Sequence, residues 1–417
     1  MIKQREYNQT EIGRIPKEWK VVKFKDWKDI DLIMGQSPPG KSYNRKGDGL
    51  PFIQGKAEFG YKYPQLTLWT TQPTKIAEEG DILISVRAPV GDVNICPFRL
   101  CIGRGLAAIR IKKDSNIFYF YWFRKEKQRI ENMGKGSTFK AITKNDLFNL
   151  SIPLPPLPEQ QKIAEILSTV DEAIEKVDDS IEKTERLKKG LMHELLTKGI
   201  GHKEFKETEI GRIPKGWELT NISDIAEVKG GKRLPKGHNL VDFRTPYPYI
   251  RVVDFKNMGV DIGNVKYLLP ETHKIIKRYT ISSNDVYISI AGSVGLAGLI
   301  PNELDGANLT ENAAKLCKLR RVFKDFLAYV LNSQFIKKQI LGFIGKAQQP
   351  KLALFRIEKI KLPLPPLAEQ QKIAEILSTV DKRLELLRSK KEKLERIKKG
   401  LMNDLLTGQR RVKILEN

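Results

Sequence analysis

Gly35-Gln-Ser-Pro-Pro-Gly40-Lys41-Ser42 has the spacing of the phosphate-cradling pattern G-x-x-x-x-G-K-[ST], in which backbone N–H groups and a lysine hold a nucleotide's phosphates. The residue types inside it work against that chemistry. Pro38 and Pro39 lack the N–H groups that such a loop must aim at phosphate. The stretch from Ser42 to Pro51 reads as turns, so no helix N-terminus would receive the anion. Nor is Gly103-Arg-Gly-Leu-Ala-Ala108 a dinucleotide loop, because it precedes the β-like Ile109-Arg-Ile111 and not a helix. The chain has no Asn/Asp-Pro-Pro-Tyr/Phe tetrapeptide of amino-methyltransferases, no convincing pair of nuclease carboxylates and no nucleophile elbow. Its cysteines, Cys96, Cys101 and Cys317, and its 4 isolated histidines suit neither a disulfide framework nor a zinc site. No catalytic residue and no metal ligand is expected. What remains is a loop that is basic, Gly-rich and stiffened by proline, a shape suited to approaching a phosphate backbone. Lys229-Gly-Gly-Lys-Arg-Leu-Pro-Lys-Gly237 repeats that shape without the motif.

The elements that must position these loops come in pairs. Glu-Gln-Gln-Lys-Ile-Ala-Glu-Ile-Leu-Ser-Thr-Val-Asp occurs at 159–171 and, letter for letter, at 369–381, each time behind Pro-Leu-Pro-Pro-Leu. Thr-Glu-Ile-Gly-Arg-Ile-Pro-Lys stands at 10–17 and again at 208–215, with Trp19 and Trp217 following at equal distance. The offset is 198 at one marker and 210 at the other, so the inner stretches differ in length by 12 residues, and they have also diverged in residue type. One scaffold carries two differently tuned heads, too few copies for a solenoid. After each Pro-rich entry, apolar residues recur at steps of three and four: Ile163, Ile166, Val170, Ile174, Val177, Ile181, Leu187, Leu191 and Leu195, then Ile373, Ile376, Val380, Leu384, Leu387, Leu394, Ile397, Leu401 and Leu405. This spacing predicts two long coiled-coil helices, with Pro158 in the first turn of one and Gly199 and Gly408 as stops. The heads read as α+β. Asp81-Ile-Leu-Ile-Ser-Val-Arg87 and Asp285-Val-Tyr-Ile-Ser-Ile-Ala291 are strand-like runs ending in Gly-containing turns, and the aromatic helical stretches near 116–132 and 323–341 are expected to be core.

Charge separates the two kinds of element. Residues 159–199 hold 7 Lys and Arg against 10 Asp and Glu, and residues 369–408 hold 10 against 7, so the helices are complementary and sum to zero. Antiparallel pairing is expected, placing the heads at opposite ends of a rod. The whole net charge of +24 then falls on the heads and the short tail with Arg410, Arg411 and Lys413, which points to a polyanion gripped at two places. No run approaches the ~18 apolar residues of a membrane span, and the N-terminus lacks a signal peptide's apolar stretch, so a cytoplasmic protein is expected.

This order of head, Pro-Leu-Pro-Pro-Leu-x-Glu-Gln-Gln-Lys-Ile-Ala helix, second head and second helix resembles the specificity subunit of Type I restriction-modification systems. Gly35-Gln-Ser-Pro-Pro-Gly40, Cys101-Ile-Gly-Arg-Gly105, Tyr249-Ile-Arg-Val-Val-Asp254 and Leu309-Thr-Glu-Asn-Ala-Ala314 add to the resemblance, which covers essentially the full chain. The resemblance implies an internal pseudo-twofold repeat: target-recognition domains at 1–152 and 201–362, and long helices at 153–200 and 363–417, the last with the basic tail. Each domain would read one half of a split double-stranded DNA target, with the helices setting the unread spacer. It also implies two docked methyltransferase subunits acting on adenine and a restriction and translocase subunit. S-adenosylmethionine, ATP and Mg would then reside on those partners and no cofactor on this chain. From residue type and loop position, the expected DNA contacts are Lys41, Tyr43, Arg87, Lys135, Ser137 and Lys140 in the first head. In the second head they are Lys232, Arg233, Lys236, Arg251, Gln348, Gln349 and Lys351. Two rivals are an architectural coiled-coil DNA-binding protein without restriction-modification partners and a stand-alone enzyme.

Overall fold

The computed structural model describes residues 6–133, 141–345 and 350–413. Two compact units emerge: residues 1–178 with 389–417, and residues 179–388. Each unit contains one head, the start of the helix that follows it, and the far end of the other long helix. The long helices are Leu157–Thr197 and Leu367–Leu405, 41 and 39 residues, so each runs about 60 Å at ~1.5 Å per residue. Pro158 lies in the first turn of one, and Gly199 and Gly408 follow the ends with φ of 67° and 69°, the left-handed conformation that glycine adopts without a Cβ penalty. No helix among the described residues is long and apolar enough to cross a membrane.

The heads share a topology. In the first, an antiparallel sheet has the order Ile30–Met34, Leu106–Ile111, Ile82–Ser85, Val93–Ile95, and in the second the order is Glu227–Gly230, Ala313–Cys317, Val286–Ser289, Ala297–Leu299. A second sheet in each head contains one parallel pair, Phe52 opposite Cys101 in one and Tyr249 opposite Asn308 in the other. The aromatic run Phe118–Phe123 is at most 2% exposed and packs on the first sheet with Ile82, Ile84, Ala107 and Ile109, so those rings are core. Phe326–Leu331 does the same in the second head.

The letter-for-letter repeat has a local cause within each unit. Glu159 accepts the Trp19 indole N–H at 2.9 Å, and Glu369 accepts that of Trp217 at 3.0 Å. Gln160 accepts from the Ser115 amide and donates to Pro155 O and Asp114, while Gln370 accepts from the Phe323 amide and donates to Pro365 O and Arg321 O. Both glutamines are fully buried, where an unpaired amide would cost about 1–3 kcal/mol. The Asp that ends each repeat takes a phenol O–H from its head: Tyr121 to Asp171 at 2.7 Å and Tyr329 to Asp381 at 2.8 Å. Burial first and the adjacent carboxylate next push both phenols well above the usual tyrosine range, so each stays a donor.

Helix pairing is antiparallel in both units. In the first, Asp171 binds Lys398 at 2.5 Å and Asp178 binds Lys391 at 2.6 Å, one helix advancing as the other retreats. In the second, Lys188 binds Asp381 at 2.5 Å and Glu185 binds Arg388 at 2.7 Å. Two seam expectations are corrected here. Leu187 and Ile397 are 54% and 53% exposed, because the inward position goes to the next residue in each copy, Lys188 and Lys398, whose ammonium meets the facing aspartate. The far helix ends dock on heads: Leu405 and Leu406 join the first head's core, and Leu195 and Leu196 join the second's.

Candidate nucleic-acid interface

The Gly35–Ser42 loop leaves the end of strand Ile30–Met34 and is pinned at once to the neighbouring strand end. Gly35 N donates to Leu106 O at 2.9 Å and Gln36 N to Ile102 O at 3.0 Å. A Cβ on Gly35 would lie 2.2 Å from Gly103 O, so only glycine fits. The second head repeats this: Gly231 N bonds Ala313 O at 3.0 Å, Lys232 N bonds Leu309 O at 2.8 Å, and a Cβ on Gly231 would lie 2.0 Å from Thr310 O. Ser42, the residue that a nucleotide loop would aim at a metal ion, is buried, donating to Pro39 O at 2.7 Å and sharing a 2.8 Å bond with Thr70. Gly40–Ser42 forms only a single 3-10 turn.

Other segments converge on the same edge of each head. Val86 N bonds Gly105 O at 2.9 Å, Ile142 N bonds Val86 O at 2.9 Å, and Arg87 bridges Ala141. In the second head Ile290 N bonds Asn312 O at 2.8 Å, Leu352 N bonds Ile290 O at 2.9 Å, and Ala291 bridges Lys351. Serine hydroxyls tie the turns that follow the strands: Ser85 caps Pro89 O and Asp92 N, as Ser289 caps Ser293 O and Leu296 N. Rigid strands thus present a cluster of short loops, the arrangement on which binding residues concentrate.

Of the expected contact residues, Lys41 and Arg87 are exposed on this edge of the first head. Tyr43 is half-buried, its hydroxyl donating to Pro38 O at 2.9 Å and its ring 5.0 Å from Phe52, so it props the loop from behind. Lys232 is exposed with its ammonium 5.5 Å from the centre of the Tyr279 ring, and Lys236 and Lys351 are exposed. Arg233 bonds Glu311 at 2.8 Å, which raises its pKa above the usual guanidinium value. Arg251 is committed elsewhere: its guanidinium forks onto the buried Asp254 at 2.7 and 3.0 Å and donates to Asn264 O. Lys135, Ser137, Lys140, Gln348 and Gln349 lie outside the described residues.

Sequence reasoning passed over two exposed side chains on the first head's edge. Gln54 follows strand Leu50–Ile53, and Arg104 stands between Gly103 and Gly105. Among the described residues neither side chain has a hydrogen-bond or ion-pair partner. The signal in the sequence is the Gly-Arg-Gly spacing itself, whose two glycines admit the Gln54 backbone and do not build a dinucleotide loop.

Comparison with known proteins agrees with this layout. The profile described as Type I restriction modification DNA specificity domain matches residues 16–185 and again 214–396. A putative type I restriction enzyme MjaX specificity subunit from Methanocaldococcus jannaschii is 51% identical over 199 residues, spanning 47% of each chain. The MjaVIII specificity subunit of the same organism is 28% identical over 429 residues, spanning 96% of this chain and 95% of that one. The crystal structure of a Type-I restriction-modification system S subunit from M. genitalium has the same fold, with a TM-score of 0.62 at 20% identity, covering 93% of this chain and 96% of that one. With two matched domains spread over most of its length, the chain belongs to the Type I restriction-modification DNA specificity family, as a specificity subunit.

Proposed function

We propose that the chain reads a bipartite double-stranded DNA target, one half with each head. In this reading the paired helices set the unread spacer and dock two methyltransferase subunits and the restriction and translocase subunits. The observation that carries it is the duplicated lock. Two heads of differing loop chemistry are each fixed to a helix start by the same residues, Trp19 with Glu159 and Trp217 with Glu369, so each head has a defined bearing on its own helix. Adenine methylation, with S-adenosylmethionine, and the ATP- and Mg-dependent steps would then be the work of cytoplasmic partner subunits. This chain would supply only address and spacing. The loops support the polyanion side of the reading, since Lys41, Arg87, Lys232, Lys236 and Lys351 are exposed basic groups on or near the loop edges. Methylome sequencing of a host expressing this chain with its methyltransferase partner tests it. A two-part methylated motif with a fixed gap is expected, whereas a continuous motif, or none, would overturn the bipartite reading.

A further inference from the structure

We propose that Gln54 and Arg104 are the direct base-reading pair of the first head, Gln54 on an adenine and Arg104 on a guanine of neighbouring base pairs. The inference rests on the DNA-reading function proposed above. It starts from the two glycines that flank Arg104. A Cβ on Gly103 would lie 2.9 Å from Gln54 Cα, and one on Gly105 would lie 2.6 Å from Gln54 O. Both glycines are therefore there to let two strand ends touch, and Gly103 N seals the contact by donating to Ile53 O at 2.8 Å. Arg104 N donates to Ser37 Oγ at 3.3 Å, and Gly35 closes on Gly103 from the other side. The backbone under both side chains is thus over-determined, which is what a reading residue needs in order to discriminate.

The side chains themselves are left open. Both are exposed, and neither has a polar side-chain partner among the described residues. The second head treats its arginines differently, spending Arg251 on Asp254 and Arg233 on Glu311. An unpartnered planar amide and an unpartnered guanidinium, carried on touching backbones, match the two bidentate patterns of the major groove: Gln with adenine N6 and N7, Arg with guanine O6 and N7. Beside them the turn Gln54–Glu58 faces Ala88 and Pro89 across a concavity next to Arg87. Lysines such as Lys41 are point charges and suit phosphate, where they add affinity without sequence. Because the two backbones are in contact, the bases read should be neighbours, about 3.4 Å apart along the duplex.

The test uses the full chain in complex with its methyltransferase partner. The wild-type methylome first gives the motif, and absence of a bipartite motif at that step would remove the proposed function itself. Gln54→Ala, Arg104→Ala and Arg104→Lys are then compared for methylated motif and for Kd on duplexes carrying single base-pair substitutions. Each Ala variant should lose discrimination roughly 5- to 100-fold at one base pair, an A·T for Gln54 and a G·C for Arg104. The two positions should adjoin within one half-site, and the other half-site should be untouched. Arg104→Lys should keep most affinity and still lose discrimination, because it retains the charge but not the fork. The melting midpoint should not move, since neither side chain is packed. Unchanged discrimination at every position overturns the proposal. So does uniform weakening across all sequences, which would make both residues phosphate contacts, and so does loss in both half-sites.

Discussion

Asp171 and Asp381 occupy the same place in the two repeats, yet their lysine partners are unequally shielded. The Lys398–Asp171 side chains are 10% and 4% exposed, against 24% and 31% for Lys188–Asp381. Asp171 also takes hydrogen bonds from Tyr61 at 2.6 Å and Tyr121 at 2.7 Å, and Tyr61 in turn accepts from Lys398. Burial first, and then the nearby Arg124 charge, lower the Lys398 pKa despite its aspartate, so this ammonium depends on its partner. Breaking a buried pair by removing one member costs about 3–5 kcal/mol, whereas a more exposed pair is worth about 0–1 kcal/mol. Asp171→Asn should therefore lower the urea midpoint distinctly more than Asp381→Asn. Equal midpoints would show that solvent reaches Lys398. The double variant Asp171→Leu with Lys398→Met should recover only part of the loss, since it strands no charge but leaves the Tyr61 and Tyr121 hydroxyls without their acceptor. The same lysines explain why the seam was only partly legible. Hydrophobic spacing selects Leu187 and Ile397, and nothing in one helix's sequence says that an ammonium one residue later will meet an aspartate on another helix. Gln54 escaped for a similar reason, because its placement comes from contact with Gly103 and Gly105, about 50 residues away in the chain.

Element length and stop signals were legible, because they are local: Pro158 in a first turn, Gly199 and Gly408 past the ends, and an apolar step sustained over 41 and 39 residues. Pairing partners are not local, and the register between the helices came only from the ion pairs. That register changes what a spacer experiment must do. Asp171 faces Lys398 and Asp178 faces Lys391, so four residues inserted after Asp171 alone would put Asp178 out of step with Lys391. A matched insertion of four residues in each helix, between Asp171 and Asp178 and between Lys391 and Lys398, restores both pairs. It adds about 6 Å while nearly preserving the apolar face, since four is close to the ~3.6 residues of a turn. If the helices set the spacer, the matched variant should methylate the same half-sites separated by one to two more base pairs, at about 3.4 Å each. The single insertion should melt at a lower temperature than the matched one. An active matched variant that kept the original gap would leave the helices as a docking surface only.

For the whole molecule, the net charge of +24 sets how it meets DNA, and the duplicated locks set how it can be rebuilt. Displacing condensed counterions gives a log-log salt slope of about −0.9 per phosphate contact, so affinity should fall steeply with salt. Replacing Lys232 and Lys236 with Ala should flatten that slope, and an equal slope would remove them from the interface. The locks make a stronger demand. Each head touches its helix start through residues common to both repeats: a Trp onto Glu159 or Glu369, and a Tyr onto Asp171 or Asp381. Residues 17–152 should therefore be exchangeable for the matching part of a relative, provided that the donor brings a Trp at position 19 and a Tyr at position 121. Methylome sequencing of such a chimera should show one half of the motif changed, with the other half and the gap retained. A donor lacking the Trp would leave the buried Glu159 facing Arg411 alone, and that chimera should melt lower even where its loops are sound. Change in both halves would show that the heads do not read independently, whatever their separate folds. Change in the gap alone would assign the spacing to the head–helix lock instead of to helix length.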